Sequence, residues 1–140
     1  MSIWQCKSVT LLILVGSTTS LAEMPIEGVP NGAAELGRAN YTNCAACHGA
    51  EGQGGFAPAL VANANLKNTE YVVAHILKGS PVMPAFKNQL SSDEIAALIN
   101  HVRYSWGNRV EKISAADVVE VEKRLEENSL SPSTQGSISK

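Results

Sequence analysis

Two cysteines and a histidine stand together near the middle of the chain, in the stretch CAACH formed by residues 44–48. The pattern C-x-x-C-H is typical of covalent haem attachment. Two thiols three positions apart at the end of a helix can form thioethers with the two vinyl groups of one porphyrin, and the histidine that follows can ligate the iron. The sequence therefore predicts one haem c, bound through Cys44 and Cys47, with His48 as an axial ligand.

Three other uses of such a cysteine pair fit the sequence less well. A zinc site would need a second pair of ligands at similar spacing, and the remaining cysteine, Cys6, lies far from the motif. A thioredoxin-like redox motif would need a strand–helix–strand context, and no run of residues alternates as a strand does. A structural disulfide between Cys44 and Cys47 would leave His48 without a role.

Met83 is the candidate for the second axial position. Thioether sulfur is a soft donor that suits low-spin iron, and Pro81 and Pro84 stiffen the loop around it. His75 and His101 are its rivals, and either would give a bis-histidine site. A filled second position favours an electron carrier, whereas a haem peroxidase or sensor would need a vacant or labile one.

The surroundings of the haem are expected to be apolar. Ferric haem carries one more positive charge than ferrous haem, so a medium of low dielectric favours the reduced state and raises the reduction potential. The side chains expected around the haem are Leu60, Val82, Phe86, Leu98 and Trp106.

The composition limits the possible classes of function. The chain has 140 residues, 44% of them hydrophobic, which suits one domain of ordinary size. Its 13 acidic residues outnumber its 11 basic ones and give a formal net charge of −2. The basic excess that a nucleic-acid-binding surface needs is therefore missing, and no nucleic-acid partner is expected.

The first 22 residues have the pattern of a secretory signal peptide. Lys7 precedes an apolar run over residues 9–15, and the small residues Ser20 and Ala22 precede the expected cleavage point. An uncleaved membrane anchor is the alternative, but residues 8–22 are fewer than the about 20 apolar residues that span a bilayer. We expect cleavage after Ala22, loss of Cys6 with the peptide, a periplasmic protein, and no transmembrane segment in the mature chain.

Apolar periodicity and turn residues predict an all-α fold. The first helix is expected over residues 33–43, with Asn31 as its candidate N-cap. The second is expected over residues 69–78, between an Asn68 cap and a stop at Gly79.

Two further helices are expected in the C-terminal half. Ser91 and Glu94 form a capping box before an apolar stripe that reaches Trp106, and Gly107 ends this third helix. The fourth covers residues 114–127. The chain is thus divided into a signal peptide (1–22), an extended arm (23–32), a haem domain (33–109), a C-terminal helical extension (110–128) and a disordered, serine-rich tail (129–140).

Residues 33–107 resemble a class I mono-haem cytochrome c. Gly37 and Tyr41 match the glycine and the aromatic residue of that family's first helix, and Pro58 and Leu60 match its proline–leucine step, apart from one residue of spacing. The methionine loop, residues 83–86, matches closely. The resemblance implies first and last core helices that cross beside one haem. It also implies that the Pro58 carbonyl accepts the Nδ1–H of the proximal histidine and fixes its ring.

The end of the third helix, residues 102–108, resembles haem subunits that serve periplasmic quinoprotein alcohol or aldehyde dehydrogenases. That group usually has a tyrosine where this chain has His101. The resemblance implies an electron-transfer protein, not itself an enzyme, which takes electrons from a periplasmic dehydrogenase and passes them towards a terminal oxidase or another cytochrome. The alternative is a haem subunit permanently bound to one such enzyme, docked through the acidic fourth helix.

Overall fold

The computed structural model describes residues 31–130, which fold around helices and contain no β-strand. An isolated antiparallel bridge joins Ser80 to Met83. The predicted all-α class is confirmed for this part of the chain. The expected signal peptide lies outside the described residues, as do most of the arm and of the tail. The elements are α1 (Asn31–His48), a 3-10 helix (Ala64–Lys67), α2 (Thr69–Lys78), α3 (Ser92–Tyr104) and α4 (Ala115–Leu130).

The first helix is longer than the sequence predicts. Asn31 is already helical, and α1 continues through the whole CAACH stretch instead of ending near residue 43. Two alanines within that stretch favour the helix, because alanine has the highest helix propensity. Gly49 ends it with a φ of 84°, while its N–H donates to the Ala45 carbonyl at 2.9 Å.

The second and third helices begin where their caps predict. The Asn68 side chain accepts a hydrogen bond from the Tyr71 N–H, and Gly79 follows α2 with a φ of 68°. Ser91 and Glu94 form the predicted capping box of α3. That helix ends at Tyr104, earlier than its apolar stripe suggests, because the backbone is extended at Ser105 and turns at Trp106, which has a positive φ of 54°.

Helices α1 and α3 contact each other closely at Gly37. A Cβ atom on this residue would lie 2.3 Å from the Ala97 carbonyl oxygen and 2.9 Å from the His101 Cβ. Only a glycine allows this approach. The contact packs α1 against α3, whose side chains Ile95, Leu98 and Ile99 are buried.

The fourth helix packs on the body formed by α2 and α3. Val118 and Val121 are buried and Leu125 is partly buried, so the predicted apolar face is confirmed. No helix among residues 31–130 is long and apolar enough to cross a membrane.

Candidate haem site

An apolar cavity of about 370 Å³ opens between the end of α1, the 3-10 helix, α2, the methionine loop and α3. All five residues predicted for the site, Cys44, Cys47, His48, Pro58 and Met83, line this cavity. Its apolar walls include four of the five side chains expected around the haem, namely Leu60, Val82, Phe86 and Leu98.

The last turn of α1 presents Cys44, Cys47 and His48 to the cavity. Neither cysteine forms a disulfide, and burial, helped by the neighbouring Cys47, raises the pKa of the Cys44 thiol. The His48 Nδ1 atom lies 2.8 Å from the Pro58 carbonyl oxygen. When Nδ1 carries the proton, it donates to that carbonyl, and the opposite ring nitrogen, Nε2, is left as a lone-pair donor.

The glycine-rich loop after α1 holds Pro58 in place through backbone hydrogen bonds. The Gly54 N–H donates to the His48 carbonyl at 2.7 Å, and the Ala57 N–H donates to the Cys47 carbonyl at 3.0 Å. Gly52 has a φ of 65°, and a Cβ there would lie 2.5 Å from the Trp106 ring. The loop therefore folds back over the end of α1, which carries the thiols.

Met83 is held on the other side of the cavity by a short loop after α2. The Ser80 N–H donates to the Met83 carbonyl at 2.8 Å, and the Met83 N–H donates to the Ser80 carbonyl at 3.2 Å. Gly79 makes this turn possible, because a Cβ there would lie 2.4 Å from the Met83 carbonyl oxygen. The sequence identified Gly79 only as a helix stop.

The two rival histidines lie in different places. His75 lines the cavity near its exposed rim, where its ring stacks on Tyr71 at a centroid distance of 4.1 Å. His101 does not line the cavity. Its ring packs between Tyr41 and Trp106, at centroid distances of 5.4 and 5.8 Å. Burial, together with the nearby Arg38 charge, lowers the pKa of His101.

The expectation that Trp106 surrounds the haem is wrong. Its ring contacts Tyr41 at a centroid distance of 5.0 Å and covers Gly52, and it is not among the residues that line the cavity. The reason is the end of α3 at Tyr104, since the turn that follows directs Trp106 towards α1.

Sequence reasoning missed Asn108, which is buried and ties the wall of the cavity to α3. Its side-chain oxygen accepts from the Ala62 N–H at 2.9 Å. Its side-chain nitrogen donates to the carbonyls of Leu60, at 3.1 Å, and Val102, at 2.9 Å. The only signal in the sequence was an asparagine directly after the helix-ending glycine.

The donor set suits a covalently attached haem. Two cysteines lie on one helical turn beside an imidazole whose Nδ1 is already hydrogen-bonded, and a methionine thioether lines the same apolar cavity. Among residues 31–130, no group of three or more His, Cys, Asp or Glu side chains is placed to hold a metal ion, as the zinc alternative would require.

Comparison with known proteins agrees with this site. Residues 32–102 match the family described as cytochrome C oxidase, cbb3-type, subunit III. The chain is also 43% identical over 75 residues to "Cytochrome c6" of Leptolyngbya boryana, an alignment that covers 50% of this chain and 88% of that relative. The chain therefore belongs to the cbb3-type subunit III family of c-type cytochrome domains, and it is a small mono-haem electron-transfer protein with a covalently bound haem c.

Proposed function

We propose that this cytochrome carries single electrons, with its haem attached through Cys44 and Cys47 and its iron ligated by His48 and Met83. The observation that carries the proposal is the cavity itself, which is lined by His48 and the two cysteines of α1 and by Met83 of the loop after α2. When bound, the haem supplies the Fe(III)/Fe(II) couple.

Hydrogen bonds within the protein itself hold both proposed axial ligands, His48 and Met83, in place. Pro58 orients the His48 ring, and two backbone hydrogen bonds to Ser80 hold Met83. A carrier benefits from a filled and rigid ligand set, because little then has to rearrange when the charge changes. Methionine opposite histidine raises the reduction potential relative to two nitrogen ligands, and the apolar walls act in the same direction.

The rim of the cavity supports electron exchange with partner proteins. Phe56 and Val82 line the cavity, yet their side chains are 80% and 72% exposed. An apolar rim of this kind suits small, short-lived contacts between redox proteins. We propose a periplasmic dehydrogenase as electron donor and a terminal oxidase or another cytochrome as acceptor.

Export is part of the same proposal. Residues 1–22 would act as a signal peptide cleaved after Ala22, which places the mature protein in the periplasm and removes Cys6. The proposal rests on the charge and apolar pattern of that segment. Mass spectrometry of the exported holoprotein tests it, because cleavage predicts a chain that begins at Glu23 and carries one haem.

Replacement of Met83 tests the proposed ligand set. Ferric wild-type protein should give a low-spin spectrum with the weak sulfur-to-iron charge-transfer band near the red edge of the visible range. Met83→Ala should lose that band and bind small external ligands. Its reduction potential should fall by on the order of 0.1–0.2 V, within the roughly 0.8 V that axial ligands span.

An exposed apolar residue that does not line the cavity gives the control for this replacement. Val119→Ala shortens an exposed side chain of α4 and should keep the band. An unchanged spectrum in Met83→Ala would show that another residue is the ligand, and His75 would then be the first to replace, since it also lines the cavity.

A second candidate function is that of a haem subunit permanently bound to one enzyme. The observation that favours it is α4, which lies beyond the family-matched residues and exposes acidic side chains such as Glu120 and Glu127. Gel filtration of natively purified material separates the two functions, because a free carrier elutes alone and a subunit elutes with its enzyme.

A further inference from the structure

The linker that precedes the fourth helix is hydrogen-bonded to side chains of α3. The Asn100 side chain donates to the Ile113 carbonyl at 2.8 Å and accepts from the Ile113 N–H at 2.9 Å. Arg103 donates to the Glu111 carbonyl at 2.8 Å. These contacts fix the linker between α3 and α4 on the surface of α3.

The helix itself is then held along its inner face. Ser114 and Asp117 exchange hydrogen bonds at its start, with the Ser114 N–H donating to the Asp117 carboxylate at 2.7 Å. Val118 is completely buried and Val121 is 2% exposed. The backbone of α4 is therefore held in place, and with it the positions from which its polar side chains extend.

Two carboxylates of α4 bind Lys87, the residue directly after the methionine loop. The Lys87 Nζ atom lies 2.6 Å from Glu126 Oε1 and 3.3 Å from Glu122 Oε1. The two glutamates are four residues apart, so they share one face of the helix. Hydrogen bonds to Glu126 and Glu122 raise the pKa of Lys87.

Lys87 lies at the end of the segment that carries Met83. One end of this segment is fixed by the Ser80–Met83 bridge. At the other end, the Phe86 N–H donates to the Ile76 carbonyl at 2.9 Å, but the Lys87 N–H reaches the Leu77 carbonyl only at 3.4 Å. That last backbone bond is long and weak. The ion pairs of the Lys87 side chain therefore add to the other contacts at this end, such as the hydrogen bond from the Gln89 side chain to the Ala85 carbonyl at 2.7 Å.

We propose that α4 positions Met83: Glu122 and Glu126 hold Lys87, and through it they keep the methionine loop closed over the cavity. This role rests on the proposed function, in which Met83 ligates the haem iron. Lys87, Glu122 and Glu126 are positioning residues. They act by lowering the fraction of molecules in which the loop has moved and the second axial position is open.

Competition with imidazole measures that fraction. An external ligand binds only when Met83 has left, so its apparent affinity rises in proportion to the open fraction. The double variant Glu122→Gln/Glu126→Gln removes both carboxylates and keeps side chains of equal size. Because exposed ion pairs contribute modestly, we expect imidazole to bind roughly two- to fivefold more tightly to the ferric variant at low salt.

A matched control removes the same charge from the same helix. Glu120→Gln/Glu127→Gln neutralises two exposed carboxylates of α4, of which Glu127 pairs with Lys123 of that helix and not with the loop. This control should bind imidazole as the wild type does. In about 1 M salt, where charges are screened beyond about 3 Å, the difference between the test variant and the wild type should shrink.

The possible outcomes separate the positioning role from a merely structural one. Tighter imidazole binding in the test variant alone, with thermal unfolding unchanged in both variants, supports the proposal. Equal imidazole affinity in all three proteins, or an equal shift in test and control, overturns it. A wild-type protein without the sulfur-to-iron band overturns the assignment of Met83 itself, and the positioning role with it.

Discussion

At the scale of single residues, the chemistry of the candidate site follows from a few side chains that are distinguished by their spacing or by flanking prolines. Cys44, Cys47 and His48 form a motif whose spacing specifies one cofactor, and the two prolines around Met83 distinguish it from a methionine that only fills a core. All four line one cavity. The motif and the methionine loop could therefore be found from the sequence alone.

The position of His101 could be predicted only in part. Its place on α3, near the apolar stripe, follows from helical periodicity. Its neighbours could not be predicted in this way, because Tyr41 and Trp106 contact it from α1 and from the turn after α3. The structure shows that this histidine contacts two aromatic rings and does not line the haem cavity.

We predict that His101 makes the protein less stable in mild acid. Burial and the Arg38 charge lower its pKa in the folded state below the ordinary value of 6.5. The unfolded chain therefore binds more protons as the pH falls through 6.5, and the free energy of unfolding decreases until the folded pKa is passed. Urea unfolding at pH 7 and pH 5 should show this loss in the wild type.

His101→Tyr is the matching variant, since it keeps an aromatic ring beside Tyr41 and Trp106 and removes the titrating group. It should lose less unfolding free energy than the wild type between the two pH values. An equal or greater loss in the variant would contradict the assignment of this acid sensitivity to His101.

At the scale of helices, the caps of α2 and α3 predicted where these helices start, whereas Asn31 is already helical in α1 and α3 ends before the expected stop at Gly107. Asn68 and the Ser91–Glu94 pair mark the starts of α2 and α3 as expected. The apolar stripe of α3 predicted a helix that is too long, because Trp106 lies in the turn after the helix and still packs inward. An apolar side chain can thus continue a helical pattern after the helix itself has ended.

The approach of α1 to α3 gives a second prediction. Gly37→Ala places a methyl group 2.3 Å from the Ala97 carbonyl oxygen, and the backbone of α3 must move to accommodate it. Overpacking of this kind costs about 1–3 kcal/mol, and we expect the free energy of unfolding to fall by that amount. Denaturant unfolding of the holoprotein measures it.

The same helix contains its own control. Gly32 also lies in α1, but a Cβ there would meet no atom within 4 Å. Gly32→Ala should leave the protein unchanged or stabilise it by up to about 1 kcal/mol, because alanine favours a helix more than glycine does. Similar effects of the two substitutions would show that Gly37 is not required by close packing.

At the scale of the whole molecule, hydrogen bonds between residues far apart in the sequence fix how the helices are arranged, and local sequence patterns do not predict them. Arg103 is 1% exposed and joins the α4 linker to Thr69 of α2, at 2.8 Å from the Glu111 carbonyl and 3.0 Å from the Thr69 hydroxyl. Local patterns cannot reveal such contacts, since their partners are brought together only by the fold. For the same reason, the apolar face of α4 was predictable, whereas its contact with Lys87 was not.

The haem cavity is built from single residues, several helices and the fold as a whole. Its walls come from α1, α2, α3 and the loops between them, so the residues of the haem site also form much of the centre of the molecule. A chain with few aromatic residues can still enclose a solid core if a large planar cofactor fills that space. This explains how a chain with 5% aromatic residues can form a compact electron carrier.

A potentiometric titration of the holoprotein, followed by visible absorption, tests the central claim most directly. We predict one reversible transition with a slope of about 59 mV per decade, as expected for one electron. The oxidised end should be low-spin and carry the sulfur-to-iron band. A high-spin oxidised form without that band, or the lack of a reversible one-electron transition, would contradict a carrier ligated by His48 and Met83.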